Sequence, residues 1–155
     1  GTGAYLTKLL SPVISPTLLP LLIFLLAAVV AFSIGTSWTT MAILIPTVVP
    51  LAYSLGGMPL TIRAAAAVLD GAIFGDHRSP ISDTTVMSSI ASSCDHLDHV
   101  KTQIPYALTT MLIAAVIGYL GTASVYPAWV GLILGSATIV GVLLLVGQRT
   151  DALSD

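Results

Sequence analysis

With 155 residues, of which 55% are hydrophobic and only 8% charged, the chain is too apolar for a soluble domain, where about a quarter of the residues are charged. The net charge of −2 argues against nucleic acid as a partner, because that function requires a basic surface, and the single cysteine excludes an internal disulfide. The composition therefore predicts a membrane protein, and the interrupted apolar segments described below predict an all-α polytopic bundle with interrupted helices.

The first predicted unit consists of residues 18–55, after a connector of residues 1–17. An apolar run begins at Leu18, and Gly35-Thr36-Ser37-Trp38 interrupts it before the apolar pattern resumes. As one helix the unit would be about 57 Å long, which exceeds a hydrocarbon core of about 30 Å. We therefore expect the chain to bend, break or turn back here. Thr36 and Ser37 either coordinate an ion or lie in a simple turn.

The second predicted unit, residues 60–94, is interrupted by the sequence Gly75-Asp76-His77-Arg78-Ser79-Pro80-Ile81-Ser82-Asp83-Thr84-Thr85. An alanine run favours helix before this break, and Pro80 disfavours helix at Ser79. Ser82, Asp83 and Thr84 are all good caps for a new helix. The two arms form either a discontinuous helix or a re-entrant hairpin, and the sequence does not choose between these two. Carboxylates at such a break are costly near lipid, which indicates a function in ion transport.

The carboxylates of Asp76 and Asp83 are the main candidates for binding Na⁺ or a proton. Asp76 falls at the C-terminal end of an arm, where the helix dipole favours a cation over a bare carboxylate. A carboxylate that holds either Na⁺ or a proton, but not both, is a minimal exchanger. Neutral oxygen ligands of the kind that a hard cation prefers would come from Ser79, Ser82 and Thr84. The structural alternatives are a helix cap at Asp83 and an ion pair between Asp76 and Arg78.

Several other ionisable side chains are secondary candidates that would modulate the site. His77 is either a proton relay or a hydrogen-bonding residue that fixes the loop, and Asp70 need not share a helix face with Asp76. The segment Cys94-Asp95-His96-Leu97-Asp98-His99 has the composition of a zinc site, but zinc sites usually combine two separated ligand pairs. We favour a polar helix cap at the membrane boundary, with pH sensing by His96 and His99 as an alternative.

Two ordinary transmembrane helices are predicted to close the chain, at residues 98–121 and 127–147. Tyr126 and Trp129 are placed as interfacial anchors at the start of the last helix. Gly131 and Gly135 form a G-x-x-x-G pair, which allows close helix approach but is a weak signal because glycine is common in membrane helices.

The motifs of the two breaks resemble the NhaC-type Na⁺/H⁺ antiporter family. The likeness runs from about residue 18 to residue 120 and rests on Gly35-Thr36-Ser37-Trp38, Ala42-Ile43-Leu44-Ile45-Pro46, Phe74-Gly75-Asp76-His77, Ser79-Pro80-Ile81-Ser82-Asp83-Thr84-Thr85, Cys94-Asp95-His96-Leu97-Asp98-His99-Val100 and Gln103-Ile104-Pro105-Tyr106-Ala107. It implies a multi-pass carrier of the inner (cytoplasmic) membrane, of which this chain is the C-terminal portion and half of an inverted repeat. Arg78 departs from the family, in which a small or thiol residue is more usual.

The resemblance implies a secondary transporter that exchanges Na⁺ or Li⁺ for H⁺, with no enzymatic activity and no cofactor. An exchanger of organic anions such as dicarboxylates, or of drugs, is the alternative, and a non-transporting membrane scaffold is the third hypothesis. The expected partners are membrane lipid, the missing N-terminal half of the same transporter and, as a further option, a second copy in a homodimer.

Overall fold

The computed structural model describes residues 15–147, and every regular element within that range is helical. The elements in chain order are α1 Leu19–Ile34, α2 Ser37–Arg78, α3 Asp83–Ala91, α4 His96–Ser124 and α5 Ala128–Val146. A π-helical stretch, Ala114–Gly121, lies near the end of α4. The predicted all-α class is confirmed for this part of the chain. The predicted connector, residues 1–17, lies outside the described residues except for its last three.

The first interruption is a tight turn between α1 and α2. Gly35 ends α1 in the left-handed conformation, with φ of +76°, and its backbone N–H donates to the carbonyl oxygen of Ala31 at 2.7 Å. Glycine adopts this conformation without the steric cost that a Cβ would add. Thr36 is extended, and α2 begins at Ser37. The chain thus turns inside the Gly35-Thr36-Ser37-Trp38 motif.

The second helix folds back on itself at a pair of glycines. Gly56 and Gly57 have non-helical backbone dihedrals, and they separate an N-terminal arm, residues 37–55, from a C-terminal arm, residues 58–78. The hydroxyl of Ser37 and the carboxylate of Asp76 lie 2.8 Å apart, whereas an unbroken helix of 42 residues would place its ends about 60 Å apart. The two arms are therefore antiparallel, and the C-terminal arm is about 30 Å long, which is enough to cross a hydrocarbon core.

Small residues bring α1 into backbone contact with the C-terminal arm of α2. A Cβ added at Gly71 would collide with the carbonyl oxygen of Phe24, and one added at Gly75 would collide with the carbonyl oxygen of Ala28. The contact moves four residues along α2, from Gly71 to Gly75, as it moves four residues along α1, from Phe24 to Ala28. The two helices therefore run in the same direction. Both elements also carry fully buried alanines, which are Ala27 and Ala31 in α1 and Ala64, Ala67 and Ala72 in the C-terminal arm of α2. This packing places the end of α1 and the end of α2 side by side.

In the described residues, Gly131 of the glycine pair singled out from the sequence makes a close contact, with the side chain of Thr122, whereas Gly135 makes none. Gly131 lies near Thr122 and Tyr126, but a Cβ on Gly135 would meet no atom within 4 Å. Contact at collision distance with the backbone of another helix occurs at Gly71 and Gly75, which have the same G-x-x-x-G spacing. A stripe of small residues reaching back to Ala67 and Ala64 would have distinguished this pair in the sequence.

The described part of the chain divides into two compact units, of which the first ends at residue 107 and the second begins at residue 108. In the second unit, the π-helical stretch packs against α5, and the Tyr126 hydroxyl donates to the carbonyl oxygen of Ile117 at 2.8 Å. Within the described residues, α2, α4 and α5 are each long and apolar enough to cross a membrane. Exposed apolar side chains cover most of α5, as expected for a helix whose solvent is lipid.

We predict that Gly75→Ala destabilises the protein by about 1–3 kcal/mol, because the new methyl group would push α1 away from α2. Thermal unfolding of the full-length protein in detergent is the measurement. Gly135→Ala is the matched control, since this helical glycine has open space around it and should gain slightly from the higher helix propensity of alanine. Equal stability of the two variants would contradict the proposed packing.

Candidate functional site

The two interruptions found in the sequence lie against each other. A Cβ at Gly35 would stand 2.8 Å from the Cγ1 of Ile81 and 3.0 Å from its carbonyl oxygen. Gly35 belongs to the turn between α1 and α2, and Ile81 belongs to the loop of residues 79–82, between α2 and α3, which we call the break loop. Only a residue without a side chain allows this approach, so the glycine serves both the turn and the contact.

Asp76 is buried where the two interruptions meet, with only 7% of its surface exposed. Its Oδ2 accepts a hydrogen bond from the Ser37 hydroxyl at 2.8 Å, and its Oδ1 accepts one from the Ser82 hydroxyl at 2.5 Å. The hydroxyl group of Ser82 has one proton, and it donates that proton to Asp76. In the second hydrogen bond, 2.9 Å long, the Thr84 hydroxyl is therefore the donor and the Ser82 oxygen is the acceptor. Each carboxylate oxygen is thus satisfied by a hydroxyl from a different side of the site.

The helix ends around Asp76 oppose one another electrostatically. Asp76 lies in the last turn of α2, where the partial negative charge of the helix end disfavours a carboxylate. Ser37, however, is the first residue of the same helix, and its backbone N–H faces the carboxylate. Because the arms are antiparallel, the positive end of one arm offsets the negative end of the other. The groups that stabilise the Asp76 carboxylate are therefore the N-terminal end of α2 and two hydroxyl groups.

Further hydroxyl groups extend the buried polar region beyond Asp76. Ser79 and Ser82 in the break loop are fully buried, and the Ser79 hydroxyl accepts the backbone N–H of Ile81 at 3.3 Å. The buried hydroxyl residues that the sequence reasoning did not single out are Thr40, Thr61, Thr85 and Ser89. Ser82, Thr85 and Ser89 follow each other at intervals of three and four residues. That helical spacing was the signal that could have identified one polar face of α3.

The remaining predicted ligands lie at the margin of this region. Asp83 and Thr84 are exposed in the first turn of α3, and Thr36 is half-buried, with its carbonyl accepting the Thr40 hydroxyl at 2.9 Å. The described residues show no hydrogen bond between Asp83 and Asp76. The structure therefore places the hydroxyl groups of Ser37 and Ser82 on the Asp76 carboxylate, and Ser79 bonds the Asp76 carbonyl through its backbone N–H. An ion-binding role for Asp83 stays a prediction.

Arg78 does not neutralise Asp76. The ion pair found within the described residues joins Lys101 to Asp98, both highly exposed, at 3.5 Å. The guanidinium carbon of Arg78 lies 5.7 Å from the ring centre of Phe74, and its Nε is buried without a hydrogen-bond partner. The Asp76–Arg78 pair considered as a structural alternative is therefore not formed, and the positive charge of Arg78 is available for another role.

The other secondary candidates have distinct surroundings. His77 and Asp70 have exposed side chains, and the backbone carbonyl of His77 accepts the Thr85 hydroxyl at 3.3 Å. Asp95 caps α4, because its Oδ1 accepts the backbone N–H groups of Leu97 at 2.9 Å and Asp98 at 3.1 Å. In residues 15–147 no three His, Cys, Asp or Glu side chains converge as a metal site. His96 and His99 instead turn their rings toward Ser89.

These features define an all-α membrane protein with a carboxylate buried among hydroxyl groups where two helix interruptions meet. The chain belongs to the Na⁺/H⁺ antiporter family, whose family model matches residues 1–123. The family is one of transporters rather than enzymes, and the resemblance to NhaC-type antiporters is confirmed.

Three relatives illustrate the range of the family. The chain is 39% identical over 148 residues to an uncharacterised protein of Haemophilus influenzae, covering 96% of the chain and 28% of that protein. It is 38% identical over 90 residues to the malate-2H⁺/Na⁺-lactate antiporter of Bacillus subtilis, covering 56% of the chain and 19% of that protein. It is 34% identical over 88 residues to the Na⁺/H⁺ antiporter NhaC of Alkalihalophilus pseudofirmus, covering 54% of the chain and 19% of that protein.

The chain therefore spans less than a third of the length of each of these relatives. No solved structure matches the chain.

We predict that Ser82→Ala lowers the free energy of unfolding by about 1–3 kcal/mol, because a buried carboxylate oxygen would lose its hydroxyl donor. Ser88→Ala provides the matched control, since Ser88 is exposed on α3. Thermal unfolding of the two full-length variants in detergent gives the comparison. If both variants unfolded at the wild-type temperature, the buried Ser82–Asp76 hydrogen bond would be refuted.

Proposed function

We propose that the complete protein is a secondary antiporter that exchanges Na⁺ or Li⁺ for H⁺ across the cytoplasmic membrane. The observation that carries this proposal is the burial of Asp76 between two helix interruptions, with one hydroxyl on each carboxylate oxygen. Membership of the Na⁺/H⁺ antiporter family supports the same conclusion. Asp76 is the residue for which the two ions compete.

The arrangement of oxygens around Asp76 suits competition between a metal ion and a proton. The hydroxyl groups of Ser37 and Ser82 donate their protons to the carboxylate. Rotation of both hydroxyl groups would turn their lone pairs toward a cation, so that carboxylate and hydroxyl oxygens act as ligands together. A proton on the carboxylate would remove the charge that attracts the cation. Binding of one ion therefore excludes the other.

The rest of the protein is proposed to complete the site. The chain covers 28% of its Haemophilus relative, so most of the transporter lies outside this sequence. Asp83 and Thr84 are exposed beside the cluster, where helices of the N-terminal half would cover them and recruit them as ligands. We propose a multi-pass protein of the inner membrane, surrounded by lipid, and a homodimer stays a prediction from sequence.

We predict that the full-length protein in proteoliposomes dissipates an imposed pH gradient when Na⁺ or Li⁺ is added, and that Asp76→Asn reduces this response at least about 100-fold. The amide keeps the size of the side chain but has no charge to bind a cation, and charged hydrogen bonds and ion contacts at buried sites are worth several kcal/mol.

Asp98→Asn is the control for this experiment, because it removes a carboxylate that is exposed on α4. It should leave the Na⁺ response within about twofold of wild type, the range expected for a surface charge. An unchanged Na⁺ response in Asp76→Asn would refute the role of Asp76.

Organic anion exchange is the second candidate, favoured by Arg78. Its Nε is buried without a hydrogen-bond partner in the described residues, which is costly unless another group pairs with it. A carboxylate of an organic acid would satisfy that donor and the positive charge together. The Bacillus subtilis relative is a malate and lactate antiporter, which supports this option by its name.

We predict for this second candidate that radiolabelled malate or lactate enters proteoliposomes, and that Arg78→Lys raises KM for the acid at least about tenfold. Lysine retains the charge but lacks the planar fork of donors that pairs with a carboxylate. Arg63→Lys is the control, because Arg63 is exposed on the same arm of α2. Absence of acid uptake, with Na⁺-driven proton flux present, would reject organic anion exchange.

A further inference from the structure

One hydroxyl joins two histidines that the proposed ion site does not use. The Oγ of Ser89 lies 3.0 Å from the Nδ1 of His96 and 2.8 Å from the Nδ1 of His99, and it also lies 2.9 Å from the carbonyl oxygen of Thr85. Ser89 is 2% exposed, so these contacts form inside the protein. The other ring nitrogen of His96, Nε2, lies 2.7 Å from the carbonyl oxygen of Pro80.

The contact with Pro80 fixes the position of one proton on His96. A carbonyl oxygen only accepts hydrogen bonds, so Nε2 must carry a hydrogen and donate it to Pro80. If His96 is neutral, its Nδ1 accepts the single hydroxyl proton of Ser89, which the Thr85 carbonyl then does not receive. If His96 is charged, Nδ1 donates to Ser89, whose own proton then goes to the Thr85 carbonyl. The Nε2–H donates to Pro80 in both cases, so the contact does not depend on the charge of His96.

Pro80 lies in the middle of the break loop, between two serines of the proposed ion site. The loop is packed on one side by Gly35, against Ile81, and is held on another by the imidazole of His96. Its own backbone supplies one turn, in which the N–H of Ser82 donates to the carbonyl of Ser79 at 3.2 Å. A shift of the loop would move the Ser82 hydroxyl, which lies 2.5 Å from Asp76.

We infer that His96 is a positioning residue of the ion site: it anchors the Pro80 carbonyl and thereby holds the Ser82 hydroxyl on Asp76. Ser89 orients the ring of His96, and His99 supports Ser89 from the next turn of α4. The start of α4 is thus hydrogen-bonded to the break loop, although His96 and His99 do not contact the carboxylate of Asp76. This inference rests on the proposed function of Asp76 and assigns to the histidines a role in binding geometry.

Two uncharged variants of His96 separate its two hydrogen bonds. The amide nitrogen of glutamine occupies a position close to Nε2 of histidine, so His96→Gln keeps a donor for Pro80. The shorter side chain of asparagine reaches only the position of Nδ1, so His96→Asn keeps a partner for Ser89 and loses Pro80. We expect His96→Asn to raise KM for Na⁺ about five- to tenfold with little change in kcat, and His96→Gln to stay within about twofold of wild type.

Hydrogen–deuterium exchange of the full-length protein in detergent measures the anchor without any transported ion. We expect the backbone N–H groups of Ile81 and Ser82 to exchange at least about fivefold faster in His96→Asn than in wild type, with His96→Gln unchanged. Lys101→Gln, an exposed change on the same helix, should resemble wild type in both measurements. Wild-type exchange and wild-type KM in His96→Asn would overturn the inference, as would equal defects in both His96 variants.

The two measurements also separate this inference from the proposed function. If wild-type protein showed no Na⁺-dependent proton flux, the antiport proposal would fail. Even then, faster exchange at Ile81 and Ser82 in His96→Asn, with wild-type exchange in His96→Gln, would establish that His96 holds the Pro80 carbonyl. Unchanged exchange in His96→Asn would refute it.

Discussion

The structure depends on one buried carboxylate. Asp76 draws a hydroxyl from Ser37 and a hydroxyl from Ser82, and these residues come from the two places where the helical pattern fails. An unpaired charge in this position would be very costly, so the three groups must stay together or the protein must bind something in exchange. The hydrogen bond between Ser37 and Asp76 also closes the antiparallel hairpin of α2. The same contact therefore organises the fold and creates the candidate ion site.

The surrounding packing explains how the polar contact is held in an apolar chain. Glycine and alanine on the C-terminal arm of α2 allow α1 to approach within backbone contact, and the two helices run in the same direction. This direction puts Gly35 beside Ile81, so the turn after α1 packs on the break loop. A hydrogen bond from His96 in α4 then holds the loop at the Pro80 carbonyl. Hydrophobic association does not hold helices together in lipid, because the lipid tails are as apolar as the side chains. Close packing and hydrogen bonds stabilise the association of the helices instead.

Membership of the Na⁺/H⁺ antiporter family establishes the class of the protein. The proposals about the transported substrate rest on particular side chains. Asp76 with its hydroxyl partners suits a small hard cation in competition with a proton. Arg78, two residues later, has a buried donor without a partner, and this suits a carboxylate. Because Arg78 does not pair with Asp76, the two charges remain separately available. The two proposed functions, cation exchange and organic anion exchange, therefore rest on these two neighbouring residues.

Much of the site was predictable from sequence because its physical causes are local. An apolar chain with few charges determines a helical membrane protein, and Gly35 and Pro80 mark the interruptions through backbone geometry that acts within a few residues. Asp76 stood out because its charge is costly in such surroundings. The sequence could not decide that Asp76 pairs with Ser37, since 39 residues separate them and only the hairpin at Gly56 and Gly57 brings them together. Nor could it separate Asp83, which is exposed, from Asp76, which is buried, because burial depends on which helices pack around each side chain. Local pattern determined where the helices end, and tertiary packing decided which of those ends meet.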